Sequence, residues 1–192
     1  SGNPPASGHR VVAVEIGRLA GMDRAELARE IGKVARLAGT FTLRSGKVSN
    51  EYFDKYRFEA RPDLLAAIAE HAAPLIPAGT ELLAGLELGG VPIATALSLH
   101  TKLPALFVRK KAKEYGTKRL AEGPDFAGKR VCVIEDVITT GGAVADAIRA
   151  LQEGGAVVEA VICVIQRGEA GPVPIAGVPV RPLYLSREIP TA

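Results

Sequence analysis

Apolar residues along this chain follow first a helical spacing and then an alternation of strand and helix. Over residues 22–38 (MDRAELAREIGKVARLA) they recur at helical intervals, which lines Leu27, Ile31, Val34 and Ala38 along one side. Asp23 can cap the first turn of that helix, and Gly39 offers a stop. Residues 41–43 and 51–54 read as short strands around the turn SGKVSN, a hairpin. A second helical stretch, residues 61–76, opens on Pro62 and closes before Pro77.

From residue 81 strands are expected at 81–86, 104–108, 130–136 and 156–166, with helices at 91–100 and 142–153. A bend rich in glycine (Gly85, Gly89, Gly90) follows the first of these strands. Near-continuous apolar strands separated by helices indicate βαβ units, hence an α/β fold with a mostly parallel central sheet flanked by helices. The stretch after Gly168 is rich in Pro and Gly, with one strand-like piece at 181–185. Neither an internal repeat nor a second core is visible. The expectation is a tail or extension over residues 1–22 and a single domain over 23–192. Within it, a helix-and-hairpin hood spans about 23–60 and a core about 61–168.

Hydrophobic residues make up 47% and charged residues 23% of the 192, the balance of an ordinary globular domain. No apolar run approaches the roughly 20 residues of a membrane helix, and the N-terminal SGNPPASGHR lacks the apolar centre of a secretion signal. A cytoplasmic location without a membrane partner is therefore expected. Cys132 and Cys163 sit in apolar, strand-like runs with no neighbouring Cys or His, which suits small buried hydrophobes better than a zinc or redox site.

The net charge of +3 conceals a local concentration. Arg109, Lys110, Lys111, Lys113, Lys118 and Arg119 face only Glu114 within residues 107–119, a local +5 that leaves −2 for the rest. One basic stretch on a weakly acidic body points to a local anion site. Among aromatics only Tyr115 lies in that stretch, so a stacking platform for nucleic acid is poorly supported and no nucleic-acid partner is expected.

The most informative segment is VCVIEDVITTGGAVADAIRAL, residues 131–151. An apolar strand ends in adjacent acids, Glu135 and Asp136, and a Thr139-Thr140-Gly141-Gly142 turn then leads into a helix. Ligands of open parallel sheets bind beyond the carboxyl ends of the strands, where carboxylates can accept hydrogen bonds from neighbouring sugar hydroxyls. Turn amides at the positive end of a helix suit a phosphate, and glycine lets the backbone approach it. Glu135, Asp136, Val137, Ile138, Thr139, Thr140, Gly141, Gly142 and Ala143, with the strand before them, resemble the signature of type I phosphoribosyltransferases. That signature binds 5-phosphoribosyl 1-pyrophosphate (PRPP). A bare Thr-Gly-Gly would mean little; the full run between strand and helix is specific.

Residues 107–123 (FVRKKAKEYGTKRLAEG) resemble the catalytic loop of the orotate phosphoribosyltransferases: Arg-Lys, two residues, Lys, one residue, His-Gly. The matches are Arg109, Lys110, Lys113 and Gly116, while Tyr115 stands where many members carry His, so that His's role is not carried over. Alone, such a lysine run reads as a solvated loop. Beside the phosphate motif it suits a leaving pyrophosphate, whose growing charge cations stabilise in the transition state.

Three weaker segments agree. Residues 40–55 (TFTLRSGKVSNEYFDK) are similar to the family's hairpin over the base, which implies Arg44 near the phosphates and Tyr52 and Phe53 around the base. Residues 85–94 (GLELGGVPIA) resemble its pyrophosphate loop. Arg167 matches the position whose guanidinium meets the orotate carboxylate, which a planar fork grips bidentately.

The resemblance, about residues 40–168, implies a type I phosphoribosyltransferase fold and the transfer of phosphoribosyl from PRPP to orotate. Lys113, Arg109 and Asp136 would be catalytic. Arg44, Lys110, Tyr115, Glu135 and residues 137–143 would join them around PRPP, and Tyr52, Phe53, Thr139 and Arg167 around orotate. Mg²⁺ would be held mainly by PRPP and water, with no direct protein ligand. A homodimer sharing the basic loop between subunits is the family's usual assembly. Two other readings remain: a phosphoribosyltransferase for another base, and a non-catalytic PRPP-sensing regulator. Arg167 and the hairpin speak against the first. The retained lysines and acids, and the lack of a separate DNA-binding segment, speak against the second.

Overall fold

The computed structural model describes residues 21–42, 46–110, 120–168 and 171–190; residues 1–20, Arg44, Lys113 and Tyr115 lie outside them. Asp23 Oδ1 accepts from the Glu26 amide at 2.7 Å and caps helix α1 (Arg24–Ala35), which buries Leu27, Ala28, Ile31 and Ala35. The helix ends at Ala35 rather than Ala38. Arg36 turns extended (φ −81°, ψ 125°) and opens β1 (Arg36–Thr42), antiparallel to β2 (Val48–Phe53) with Arg36 opposite Phe53. Pairing with β2 overrides the helical spacing, and the Arg36 guanidinium is fixed by the carbonyls of Ile189 and Pro190, each at 3.2 Å. Gly39 is not a helix stop; it lies in β1 where the register shifts between Ala38 and Phe41.

A short helix absent from the sequence expectation, α2 (Tyr56–Glu59), buries Phe58 and Glu59. Helix α3 (Pro62–Ala72) carries Pro62 in its first turn and passes into a 3-10 turn, Ala73–Leu75, instead of running on to residue 76. Pro74 has no N–H to continue the α-helical ladder, so the chain tightens there.

The main sheet contains β3 (Leu82–Leu86), β4 (Ala105–Val108), β5 (Ala121–Glu122), β6 (Arg130–Ile138), β7 (Val157–Gln166) and β8 (Val180–Leu185), in the order β5-β4-β3-β6-β7-β8. All pairings are parallel except β4 with β5. Helices α1 and α3, with α4 (Gly90–Thr101), cover one face through Leu27, Ile31, Leu64, Ile68, Ile93 and Leu97. Helix α5 (Gly142–Glu153) covers the other with Val144, Ile148 and Leu151. Cys132 and Cys163 are fully buried, and burial pushes the Cys132 thiol up to about 12, as suits two packing residues.

The stretch after Gly168 contributes more than its composition suggests. β8 pairs with β7 at the sheet edge, its Leu183 and Tyr184 are buried, and Tyr184 Oη donates to the Arg24 carbonyl at 2.7 Å. The sheet therefore continues past the expected core limit near residue 168. No helix among the described residues is long and apolar enough to cross a membrane.

Candidate active site

The chain leaves β3 towards β4 on one side and returns to β6 on the other, so the strand order reverses between β3 and β6. That reversal opens a crevice beyond the carboxyl ends of these two strands. Into it run the β3–α4 bend and the end of β6. Close packing requires the glycines of the bend: a Cβ on Gly90 would lie 2.3 Å from the Ile134 carbonyl oxygen, and one on Gly89 1.6 Å from Asp136 Oδ2. The Glu87–Leu88 peptide in this bend is cis.

Glu135 and Asp136 stand at the carboxyl end of β6, as the sequence suggests, but Asp136 is covered. Its side chain has 0% exposure, with Lys55 Nζ 2.5 Å from Oδ2. The Val137 amide donates to Asp136 Oδ1 at 2.5 Å, and the Asp136 amide donates to Glu135 Oε1 at 2.9 Å. Glu59 reaches the same place from α2, its Oε1 and Asp136 Oδ2 both lying against Gly89. Burial pushes the Asp136 pKa up, yet the hydrogen bonds with Glu59, Lys55 and Glu135 outweigh it and hold the carboxyl below its ordinary value. Burial and then the Asp136 partner raise Glu59; burial and the Asp136 charge raise Glu135. Desolvation lowers Lys55, but its bond to Asp136 carries it above its ordinary value. The ionised pair is thus Lys55 and Asp136.

The turn after β6 is built for close approach. Gly141 adopts φ 76°, and a Cβ there would meet Ile175 Cδ1 at 2.7 Å. Gly142, at the start of α5, would direct a Cβ into open space, and no side chain caps the helix. First-turn amides without a side-chain cap, beside the exposed Thr139 and Thr140, offer donors to an anion.

Beside this turn lies a cavity of about 740 Å³. Tyr52, Phe53, Lys55, Val137, Thr139 and Arg167 line it; Glu135 and Asp136 do not. The Arg167 guanidinium stands 5.4 Å from the Phe53 ring centroid, and Phe41 and Tyr52 pack with centroids 5.5 Å apart. A flat ring bearing an anionic group matches this mixture of aromatic faces and cation. Arg109 and Lys110 stand at the end of β4, across β3 from β6. Arg109 Nη1 is 3.8 Å from Glu122 Oε1, its amide donates to Leu120 O at 2.8 Å, and the Lys110 amide donates to Glu87 Oε2 at 2.8 Å. No three His, Cys, Asp or Glu side chains among the described residues gather to hold a metal ion.

A family model for the phosphoribosyl transferase domain matches residues 48–181. An orotate phosphoribosyltransferase of a Nocardioides species is 60% identical over 170 residues, 88% of this chain and 95% of that one. The chain belongs to the orotate phosphoribosyltransferase family. Among solved structures, the Mycobacterium tuberculosis orotate phosphoribosyltransferase in complex with Fe(III) dicitrate superposes with a TM-score of 0.78 at 32% identity, covering 86% of this chain and 98% of that one. The same enzyme in complex with PRPP gives a TM-score of 0.71 at 30% identity over 86% and 98%.

Against this orotate phosphoribosyltransferase frame, Tyr52, Phe53, Thr139 and Arg167 meet at one cavity, and residues 139–142 form the adjoining turn. Several residues at the crevice escaped sequence reasoning. Lys55 and Glu59 have the spacing of a solvated helix pair, and only the fold carries them to Asp136. Glu87 looked like part of a bend, and Ile189, which also lines the cavity, sits in a tail without periodicity.

Proposed function

We propose that this protein transfers the 5-phosphoribosyl group from PRPP to orotate, giving orotidine 5′-monophosphate and pyrophosphate. The observation that carries this reading is one cavity shared by Arg167, Phe53 and Thr139, with Thr139 opening the turn into α5. It supports an orotate ring against the aromatics with its carboxylate towards Arg167, and the 5′-phosphate in the turn.

The ribose C1–O bond breaks as an orotate ring nitrogen forms the new bond to C1. The C1–O electron pair leaves with pyrophosphate, and the proton of the ring nitrogen passes to solvent or to the departing pyrophosphate. Turn residues 139–142 hold the phosphate through amides and hydroxyls. Glu135 and Asp136 accept from the ribose hydroxyls, and the Asp136 charge favours positive charge developing on the sugar. Because Lys55 covers Asp136, ribose binding requires its ammonium to give way or to share the carboxylate with the sugar. Arg109, Lys110 and Lys113 receive the charge on the departing pyrophosphate, and Arg44 and Tyr115 join the phosphate contacts. Mg²⁺ would be held mainly by PRPP oxygens and water rather than by protein side chains, and would supply charge neutralisation at the leaving group. The reading includes a homodimer whose basic loop reaches the neighbouring subunit's site, and a cytoplasmic location.

Orotate consumption, followed by absorbance with PRPP and Mg²⁺, tests this directly against uracil and purine bases. Turnover with orotate alone is expected. Turnover with another base and none with orotate would reject the base assignment, and PRPP binding without any turnover would favour a sensor.

A further inference from the structure

Two residues of the hood reach the end of β6. Glu59, only 6% exposed, comes from α2, and Lys55 immediately precedes that helix. A Cβ on Gly89 would lie 1.6 Å from Asp136 Oδ2 and 2.9 Å from Glu59 Oε1, so both carboxyl groups converge on one glycine. Glu59 Oε1 is buried, and no N–H or O–H donor among the described residues reaches it. Two carboxyl groups hydrogen-bond only when one keeps its proton. Among the described residues the charged and titratable groups facing Glu59 are Lys55, Glu135 and Asp136. Burial, Asp136 and Glu135 outweigh the opposing Lys55 and leave the proton on Glu59 and the charge on Asp136.

We propose that Glu59 is a positioning residue for phosphoribosyl transfer: its carboxyl group donates to Asp136 and fixes the orientation in which that carboxylate receives the ribose hydroxyls. This role rests on the PRPP reading above. Besides the Val137 amide on Oδ1, Asp136 meets Lys55, whose side chain is 32% exposed on a flexible stem and so fixes the carboxylate weakly. Glu59 is itself buried and stands outside the cavity lining, so it can hold Asp136 without occupying the base cavity. It also joins two subsites through one short segment: Tyr52 and Phe53 line the base cavity, and the chain runs on through Lys55 to Glu59.

Glu59→Gln and Glu59→Met separate this role from simple packing. Gln keeps the length and an N–H donor; Met keeps the length and volume and removes the donor. The Gln protein is expected within about twofold of wild type in kcat/KM for PRPP and the Met protein about tenfold or more below it, with KM for orotate within about twofold in both. Thermal unfolding of each variant is recorded alongside. Equal losses in both variants, an unaltered Met protein, or a loss confined to KM for orotate would overturn the proposal. If the Met side chain prevents folding, Glu59→Ala, which also lacks a donor, gives the same comparison. A wild-type protein without turnover on orotate and PRPP would overturn the reaction itself, an outcome distinct from an active wild type that tolerates loss of the donor.

Discussion

The guanidinium of Arg167 lies over one ring, Phe53, which also receives Arg36 at 6.0 Å from its centroid. The two cations differ in how they are held. Arg36 is tied to the carbonyls of Ile189 and Pro190 and to Glu51 at 3.1 Å, which makes it part of the frame. Arg167 is exposed at the end of β7, where its own amide donates to the Ile138 carbonyl at 2.8 Å. Phe53 thus sets the plane of a cation aimed at the cavity, with a cation–π contact contributing about 0.5–1 kcal/mol at such a partly exposed place.

Replacing Arg167 by Ala should raise KM for orotate roughly 30-fold, the loss of a bidentate charge-assisted contact, while KM for PRPP changes little. Arg167→Lys keeps the charge and loses the fork, so it should recover only part of the affinity. Steady-state kinetics with each substrate varied in turn checks both. An unchanged orotate KM in the Ala protein would remove Arg167 from the base site.

Gly141 and Gly142 should respond differently to alanine although they are adjacent. At Gly141 a Cβ meets Ile175 at 2.7 Å on a backbone with φ 76°, so Gly141→Ala should lower the unfolding temperature by several degrees, on the order of 1–2 kcal/mol of strain. At Gly142 a Cβ meets no protein atom within 4 Å, so Gly142→Ala should unfold like wild type. The open space it would occupy is where the phosphate is placed, so KM for PRPP should rise about tenfold or more. Calorimetric unfolding and PRPP kinetics on the two variants test the division.

The chemistry-bearing core was the most legible part of the sequence. The helix at 142–153 has the bounds that its strand, turn and apolar face suggested, because local periodicity and tertiary packing agree there. The strand before it runs to Ile138, two residues beyond the acids, since β7 continues to pair alongside it. The junction of α1 and β1 was misread because Val34 and Ala38 continue a helical spacing that strand pairing overrides. Strand β5, two residues long, carries no periodicity at all. Lys55 and Glu59 were illegible for another reason: a contact across the fold leaves no local spacing to read.

Lys113→Ala should lower kcat by about 10²–10³ with little change in stability, as expected when a cation at the leaving group is lost. Lys113 lies outside the described residues, but both ends of its segment are fixed. The Arg109 amide meets the Leu120 carbonyl at 2.8 Å, and β4 pairs with β5. Neither of these pairings involves Lys113. Single-turnover rates beside thermal unfolding measure the separation; normal turnover would remove the leaving-group role.

The raised pKa of Glu59 has a signature in stability against pH. A carboxyl group whose pKa is higher in the folded protein than its ordinary 4.5 gives a native state that binds more protons than the unfolded chain above that value. Its contribution is therefore complete at acid pH and is lost progressively as pH rises from 4.5 towards the folded value. Asp136 has the opposite sign, since its depressed pKa contributes above 3.8 and is lost as pH falls through the folded value. Glu59→Gln removes only the first effect. Its unfolding temperature should lie close to wild type near about pH 4 and exceed it by a few degrees near about pH 8, the gap widening steadily between. Differential scanning calorimetry across that range reads the gap. A gap that stays constant with pH would mean that Glu59 titrates alike in the folded and unfolded chain and holds no proton for Asp136.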